Sequence, residues 1–331
     1  MKAEIEKKDK LWEIDFFHPA DAAGVVALYR AVYGENYPIK ELYDPKVLVR
    51  QDETGEAYRA VARTLTGEVV GHIAFYRSSP PNPRLYEAGQ LMVRQDYRLT
   101  DMAFKLFRYS AKEIPLRHGL EQIWGEAVCN HIFTQRMSRV EGSYETALEI
   151  DLMPAESYEQ AFTKPMANTG RVSNLTVFKT FKTRGQDIYL PPVYEESVPY
   201  LYSAEDFGHR YTLSREPLPS GVTTKGEVRL FPTAGVARLT FEEIGGDFES
   251  RLEGFEKQAD ADGSIVVQVF FKLTHPWTGA TVDILRRHGY FLGGLLPRWF
   301  DDDGLLMQKI SMPPNFDGIK LYSKRAKKIL E

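Results

Sequence analysis

Apolar residues recur at Val25, Val26, Leu28, Tyr29 and Val32, the spacing of one helical face, so residues 21–33 read as an amphipathic helix with Asp21 at its start. Tyr33-Gly34-Glu35-Asn36-Tyr37-Pro38 breaks it, and the residues ahead of it read as a polar leader. Two β-rich runs, 58–63 and 69–75, flank Thr66-Gly67-Glu68 and predict a hairpin. A loop at Pro80, Pro81 and Pro83 leads to a third strand at 88–93. Met102, Ala103, Leu106, Phe107 and Ile114 mark one face of a helix over 101–114. A strand at 122–128, a helix at 133–140 and a strand at 144–152 complete a mixed α/β (α+β) unit.

Residues 165–225 are poorer in pattern, with short strands at 175–181 and 187–190 and prolines between. The second half then predicts strands at 228–231 and 236–242, a helix at 248–258, a strand at 265–271, a helix ending at Arg287, and strands through Leu296 and from Leu305 to Ile310. Asn130-His131-Ile132-Phe133-Thr134 and Thr274-His275-Pro276-Trp277-Thr278 stand at matching points of the two halves, each between a strand and a helix. That order predicts an internal repeat, with domains at 12–165 and 225–331 joined by an irregular segment at 166–224.

The 331 residues, 43% hydrophobic and 27% charged, predict a soluble globular protein with a sizeable core. A net charge of -4 with scattered Lys and Arg gives no reason to expect a nucleic-acid partner. Lys324-Arg325-Ala326-Lys327-Lys328 reads as a solvated helix end. No run approaches the ~18 apolar residues of a membrane span, and no signal peptide is expected at the charged N-terminus. The single cysteine, Cys129, excludes an intrachain disulfide and fits a cytoplasmic setting. A monomer or homodimer is expected. HExxH, paired CxxC, zinc-spaced histidines, the phosphate loop GxxxxGK[ST] and the GxSxG elbow are all missing. Gly245-Gly246 reads as a turn.

The most informative stretch is Leu91 to Ala103: an apolar strand, a polar turn with an arginine, then a helix. Such a junction offers unpaired backbone N–H groups and a helix dipole to an anion. Over residues 12–160 the chain resembles the GNAT acyltransferase superfamily, through its element order, through Leu91-Met92-Val93 leading into Tyr97-Arg98, and through the strand-helix-Gly-aromatic-strand tail. The resemblance implies an acetyl-CoA (or other acyl-CoA) cofactor on Leu91, Met92 and Val93, on the pyrophosphate loop Arg98-Leu99-Thr100-Asp101-Met102-Ala103, and on Asn130. Arg98 and Ala103 fit the family loop, whereas Asp101 stands where glycine is usual. A carboxylate there suits a helix start and repels a pyrophosphate. Residues 225–310 resemble a trimmed copy of the same fold, whose acidic junction at Glu242, Glu243 and Asp247 is not expected to hold coenzyme A.

Acyl transfer to an amine needs a base, a donor to the carbonyl oxygen, and at times a proton for the thiolate. Glu87, entering the strand, is the first candidate base, and its alternative is an exposed strand-end acid. Glu126, among apolar neighbours, is a base if it points inward and a surface acid if it points outward. His131 is either a proton relay or a helix cap. The position of the family's acidic tyrosine falls at Met137 or Ser138, and Ser138 could only hydrogen-bond the thiolate. Cys129 reads as a buried small hydrophobe rather than a nucleophile. The resemblance therefore implies N-acetylation of a small-molecule or peptide amine by direct transfer, and Glu35, Glu87 and Glu126 would suit a cationic one. The alternatives are an inactive acyl-CoA-binding or protein-interaction module, or a protein that binds no coenzyme A. Geometry discriminates: a pantetheine slot requires strands 88–93 and 122–128 to part near the loop.

Overall fold

The computed structural model describes residues 11–157 and 170–331. They form two compact units, one of residues 11–79 and 83–125, the other of 80–82, 126–157 and 170–331.

In the first unit β1 (Trp12–Phe16) precedes α1 (Ala22–Tyr33) and α2 (Pro45–Glu53), followed by β2 (Ala57–Thr64), β3 (Val69–Tyr76) and β4 (Tyr86–Val93). α3 (Met102–His118) then leads to β5 (Gln122–Val128), which starts in this unit. The strands lie in chain order, antiparallel until β4 meets β5 in parallel. Neighbouring residues of a strand face opposite ways, and both faces are covered here. Val61 and Met92 pack with Val25, Tyr29 and Leu48 of α1 and α2. Ala62, Val70 and Val93 pack with Tyr97 and Met102 on the side of α3. This double cover explains why β3, Val-Val-Gly-His-Ile-Ala-Phe-Tyr, is buried along nearly its whole length.

Two elements of this unit escaped the pattern. Trp12-Glu13-Ile14-Asp15-Phe16, inside the expected polar leader, instead alternates as an edge strand should and pairs with β2. α2 starts at Pro45, with Asp44 accepting the Lys46 N–H, a start favoured by the ring's fixed φ. α3 outruns its expected end at Ile114, carries Pro115 inside, and stops at the left-handed Gly119.

The second unit contains α4 (Phe133–Val140), β6 (Tyr144–Pro154), β7 (Arg171–Thr180), β8 (Asp187–Leu190), α5 (Ser197–Tyr202) and β9 (Arg210–Leu213). It continues with β10 (Lys225–Phe231), β11 (Val236–Glu243), α6 (Phe248–Ala261), β12 (Val266–Lys272), α7 (Thr278–Arg287), β13 (Phe291–Leu296), β14 (Gly304–Ile310) and α8 (Lys324–Leu330). Its large sheet runs β7-β6-β13-β14-β12-β11-β10, and β8 pairs with β9 apart from it. Gly294 is the residue of β13 that pairs with Ala147 of β6. Its φ of 135° and a would-be Cβ 2.3 Å from the Thr146 carbonyl leave room for glycine alone. The basic run is a helix with Lys324, Lys327 and Lys328 exposed, as expected of a solvated end; Ser323 caps it, Ala326 is buried, and Arg325 donates to the Glu145 and Leu201 carbonyls.

Candidate active site

β4 is bent by one residue. On one side of the bend His72 pairs with Met92, on the other Ala74 pairs with Gly89, so Ile73 alone opposes Gln90 and Leu91. Gln90 sits in the left-handed region at φ 55°. A bulge of this kind re-aims a strand and ends its pairing. The β4–β5 ladder accordingly holds two pairs, Tyr86 with Ile123 and Glu87 with Trp124, and stops there. Ala88, the next residue of β4, has no ladder partner in β5, so within the first unit the pairing ends before β4 does. Met92 and Val93 bury their side chains and Leu91 is half-buried, so what they offer a ligand is backbone. In the second unit the corresponding parallel pair, β11 and β12, stays joined through six pairs from Val236 with Val266 to Phe241 with Phe271.

Beyond β4, Arg94 is held by Glu68 and Asp96, and a 3-10 turn buries Tyr97. Arg98 folds back so that its Nε donates to the Val93 carbonyl at 3.2 Å, which keeps the guanidinium beside the end of β4. Leu99 is exposed. Thr100 donates to the Tyr97 carbonyl and accepts the Met102 N–H at 3.2 Å, while Met102 points into the core. Asp101 holds the N-cap position without capping: its carboxylate accepts from no N–H of the helix main chain and meets the Lys105 ammonium at 3.0 Å. The N–H groups of Ala103 and Phe104, in the first turn, have no acceptor within the helix. Asp101 therefore leaves the helix donors untouched, and its charge is offset by Lys105.

Glu87 stands at the last paired position of β4, at the inner end of the open edge. The Tyr76 hydroxyl donates to its carboxylate at 2.6 Å. Gly89 allows this crossing, since a Cβ there would stand 2.7 Å from the Tyr76 oxygen. Beside it lies an aromatic cluster in which Tyr29 packs on Tyr37, Tyr43 and His72. Burial, the Tyr33 ring and the Glu87 charge push the Tyr37 hydroxyl well above its ordinary range, so it stays protonated. A cavity of about 270 Å³ opens here, lined among others by Ile39, Glu41, Gln51, Tyr76, Arg77 and Gln90.

The other expected residues belong to the second unit. Glu126 points inward, yet it is no free base: it accepts from Asn174 at 3.0 Å and from Arg238 at 3.1 Å. His131 accepts the Phe133 N–H at 3.2 Å and so caps the start of α4. Burial and Lys320 lower its pKa, which keeps it neutral. Ser138 is buried in α4. Cys129 is buried and its thiol is pushed up to about 12, as expected of an inert hydrophobe. Asn130 is buried with neither amide atom bonded among the described residues.

Sequence reasoning missed Glu149 of β6, which is fully buried and accepts from Thr176 at 2.8 Å and Gln268 at 2.6 Å. It shares Arg238 with Glu126, so two carboxylates face one guanidinium. Burial first, then the Glu126 charge, push Glu149 up to about 7 against the pull of Arg238. Its folded pKa lies above its ordinary 4.5, so its contribution to stability is full below about pH 4.5 and is lost as pH rises through 7. Glu149→Gln is expected to flatten the pH dependence of denaturant unfolding in that window, removing a fall of roughly 3 kcal/mol. An unchanged profile from pH 4.5 to 8 would assign the titration elsewhere.

No family model matches this chain, and no curated protein matches it in sequence. Among solved structures, an N-acetyltransferase from Staphylococcus aureus Mu50 is 13% identical, over 52% of this chain and 100% of that one, with a TM-score of 0.40. About half of this chain is similar to acetyltransferases. The ribosomal-protein-S18-alanine N-acetyltransferase from Escherichia coli is 12% identical over 54% of this chain and 100% of its own, at TM-score 0.39. Spermidine N-acetyltransferase from Vibrio cholerae, solved with CoA and spermine, is 10% identical over 51% and 95%, at 0.38. Among the described residues no helix is long and apolar enough to cross a membrane, and no group of His, Cys, Asp and Glu could hold a metal ion.

Proposed function

We propose that the first unit binds an acyl-CoA along the open edge of β4 and transfers the acyl group to an amine. The observation that carries this reading is the ladder that stops after Glu87 and Trp124. A strand edge with free N–H and C=O groups, ending at a helix N-terminus, suits an extended amide-bearing arm with a pyrophosphate at its end. The main chain of Leu91, Met92 and Val93 would hold the arm, and Arg98 with the first turn of α3 would hold the phosphates. Asn130 belongs to the second unit and comes to the proposal on the resemblance alone. Once bound, the coenzyme supplies an acyl thioester, the electrophile an amine attacks.

Glu87 would take the proton of the entering amine, and an unpaired β4 N–H would polarise the carbonyl as its oxygen gains charge. The new bond is C–N and the bond lost is C–S, so the thiolate leaves and the amine proton rests on Glu87. Ser138 and His131 come to the reaction on the resemblance alone. The order strand-strand-helix-strand-helix-strand-strand from β10 to β14 repeats that from β3 to β7. This supports reading the second unit as including a degenerate copy, and its closed β11–β12 ladder accords with a copy that binds no coenzyme. A second reading, an inactive acyl-CoA-binding or interaction module, draws on Asp101 and on Met137 and Ser138 where a tyrosine would serve as acid.

The test is acetyl-CoA turnover against a panel of small amines and N-terminal peptides. Turnover is expected, with Arg98→Ala raising KM for acetyl-CoA about tenfold through one lost charge-assisted contact. Turnover with no amine, in a protein that binds acetyl-CoA, would favour the inactive module.

A further inference from the structure

The bend in β4 that opens its edge is not made by glycine. Gln90 occupies the left-handed region with a full side chain, a conformation glycine enters freely and other residues resist. Such a residue stays in place where its surroundings hold it. Two groups hold this one. The imidazole Nδ1 of His72, on β3, lies 3.1 Å from the Gln90 carbonyl, and a carbonyl accepts, so Nδ1 carries the proton. The Tyr29 hydroxyl, on α1, donates to Gln90 Oε1 at 2.8 Å. Both side chains are fully buried, and they fix the main chain and side chain of one residue from opposite elements.

His72 is an odd residue for its place. It stands in an otherwise apolar strand, with no solvent and with Nε2 unbonded among the described residues. A hydrophobe would fill that space without leaving a bare nitrogen, so the contact with Gln90 is the one visible return for the imidazole.

We infer that His72 and Tyr29 are positioning residues, a clamp that keeps Gln90 left-handed and so holds the bulge in β4. The clamp is a statement about β4 itself, and its consequence for acyl transfer rests on the function proposed above. Neither residue is placed to touch a reacting atom.

The inference is tested with four proteins: His72→Phe, which removes the donor and keeps a ring; His72→Asn, whose amide can replace Nδ1; Tyr29→Phe, which loses only the hydroxyl; and His72→Phe with Gln90→Gly. Glycine adopts φ 55° unaided, so it should make the clamp dispensable. The first readout is amide hydrogen exchange of the peptide spanning 86–93 without any ligand. Exchange is expected to quicken about tenfold in His72→Phe, less in Tyr29→Phe, to stay near wild type in His72→Asn, and to return in the double variant. The second readout is kcat in the folded protein, expected to fall and recover in step with exchange.

Unchanged exchange in both His72→Phe and Tyr29→Phe overturns the clamp, whatever the activity. Faster exchange with undiminished kcat, or no rescue by Gln90→Gly in a folded double variant, overturns the positioning role. If the wild type turns over no amine while the exchange pattern holds, the clamp stands and the acyltransferase reading is what fails. Should His72→Phe not fold, Tyr29→Phe with and without Gln90→Gly decides the same question.

Discussion

Glu87→Gln is expected to lower kcat for acyl transfer between about a hundredfold and ten-thousandfold, the span general-base catalysis supplies. The substitution is nearly isosteric, and its carbonyl oxygen can still accept from the Tyr76 hydroxyl that Glu87 meets at 2.6 Å. What it loses is the lone pair that takes a proton from the amine. Affinity for acetyl-CoA should hold, because the coenzyme is assigned to the β4 edge and the loop beyond it. The check is steady-state kinetics with saturating acetyl-CoA across pH 6 to 9, alongside direct binding. A kcat within threefold of wild type would remove Glu87 as base and leave the task to water. A loss confined to acetyl-CoA affinity would instead place Glu87 in the coenzyme's site.

Arg238→Met should cost the fold about 3–5 kcal/mol at neutral pH, because it strands buried carboxylates without their counter-charge. Arg238 reaches Glu126 at 3.1 Å and Glu149 at 3.4 Å, and it also donates to Gln268 at 2.9 Å. Methionine fills comparable space and offers nothing to either acid. The penalty should shrink as pH falls from 8 towards 5, since Glu149 then escapes charge by protonation. Adding Glu149→Gln should recover part of the loss, as neighbours in one network do not act independently. Denaturant unfolding at pH 5 and pH 8 reads all of this. A loss below about 1 kcal/mol at pH 8 would mean that the network is not sealed from water.

Much of the fold was legible because local pattern and tertiary role agree. β5, α4 and β8 begin and end where alternation and helical spacing place them, at Gln122–Val128, Phe133–Val140 and Asp187–Leu190. β1 is hard to see because an edge strand of five residues with one half-buried face offers three apolar positions alternating with two charges, too short a run to stand out beside the charged residues ahead of it. The site was harder to see. Arg98 and Glu87 were visible as residue types beside a junction, yet the opening of β4 depends on a left-handed glutamine, and no residue type announces that conformation. His72 did leave a signal, a polar residue inside an apolar strand, but its partner is a carbonyl, which sequence cannot point to. The sequence leaves Glu126 as either a base or a surface acid, because its partner Arg238 lies 112 residues away. Asp101 suits a helix cap by its position, and only the i, i+4 spacing to Lys105 hints at the bond it makes instead.

The measurement that bears most directly on the central claim is isothermal titration of acetyl-CoA into the intact protein, with Asp101→Gly alongside. The proposed site, with Asp101 turned to Lys105 and the helix donors left free, predicts micromolar binding by the wild type and a modest gain in the variant. No heat from either protein at millimolar acetyl-CoA would contradict it, and the open edge of β4 would then need another occupant.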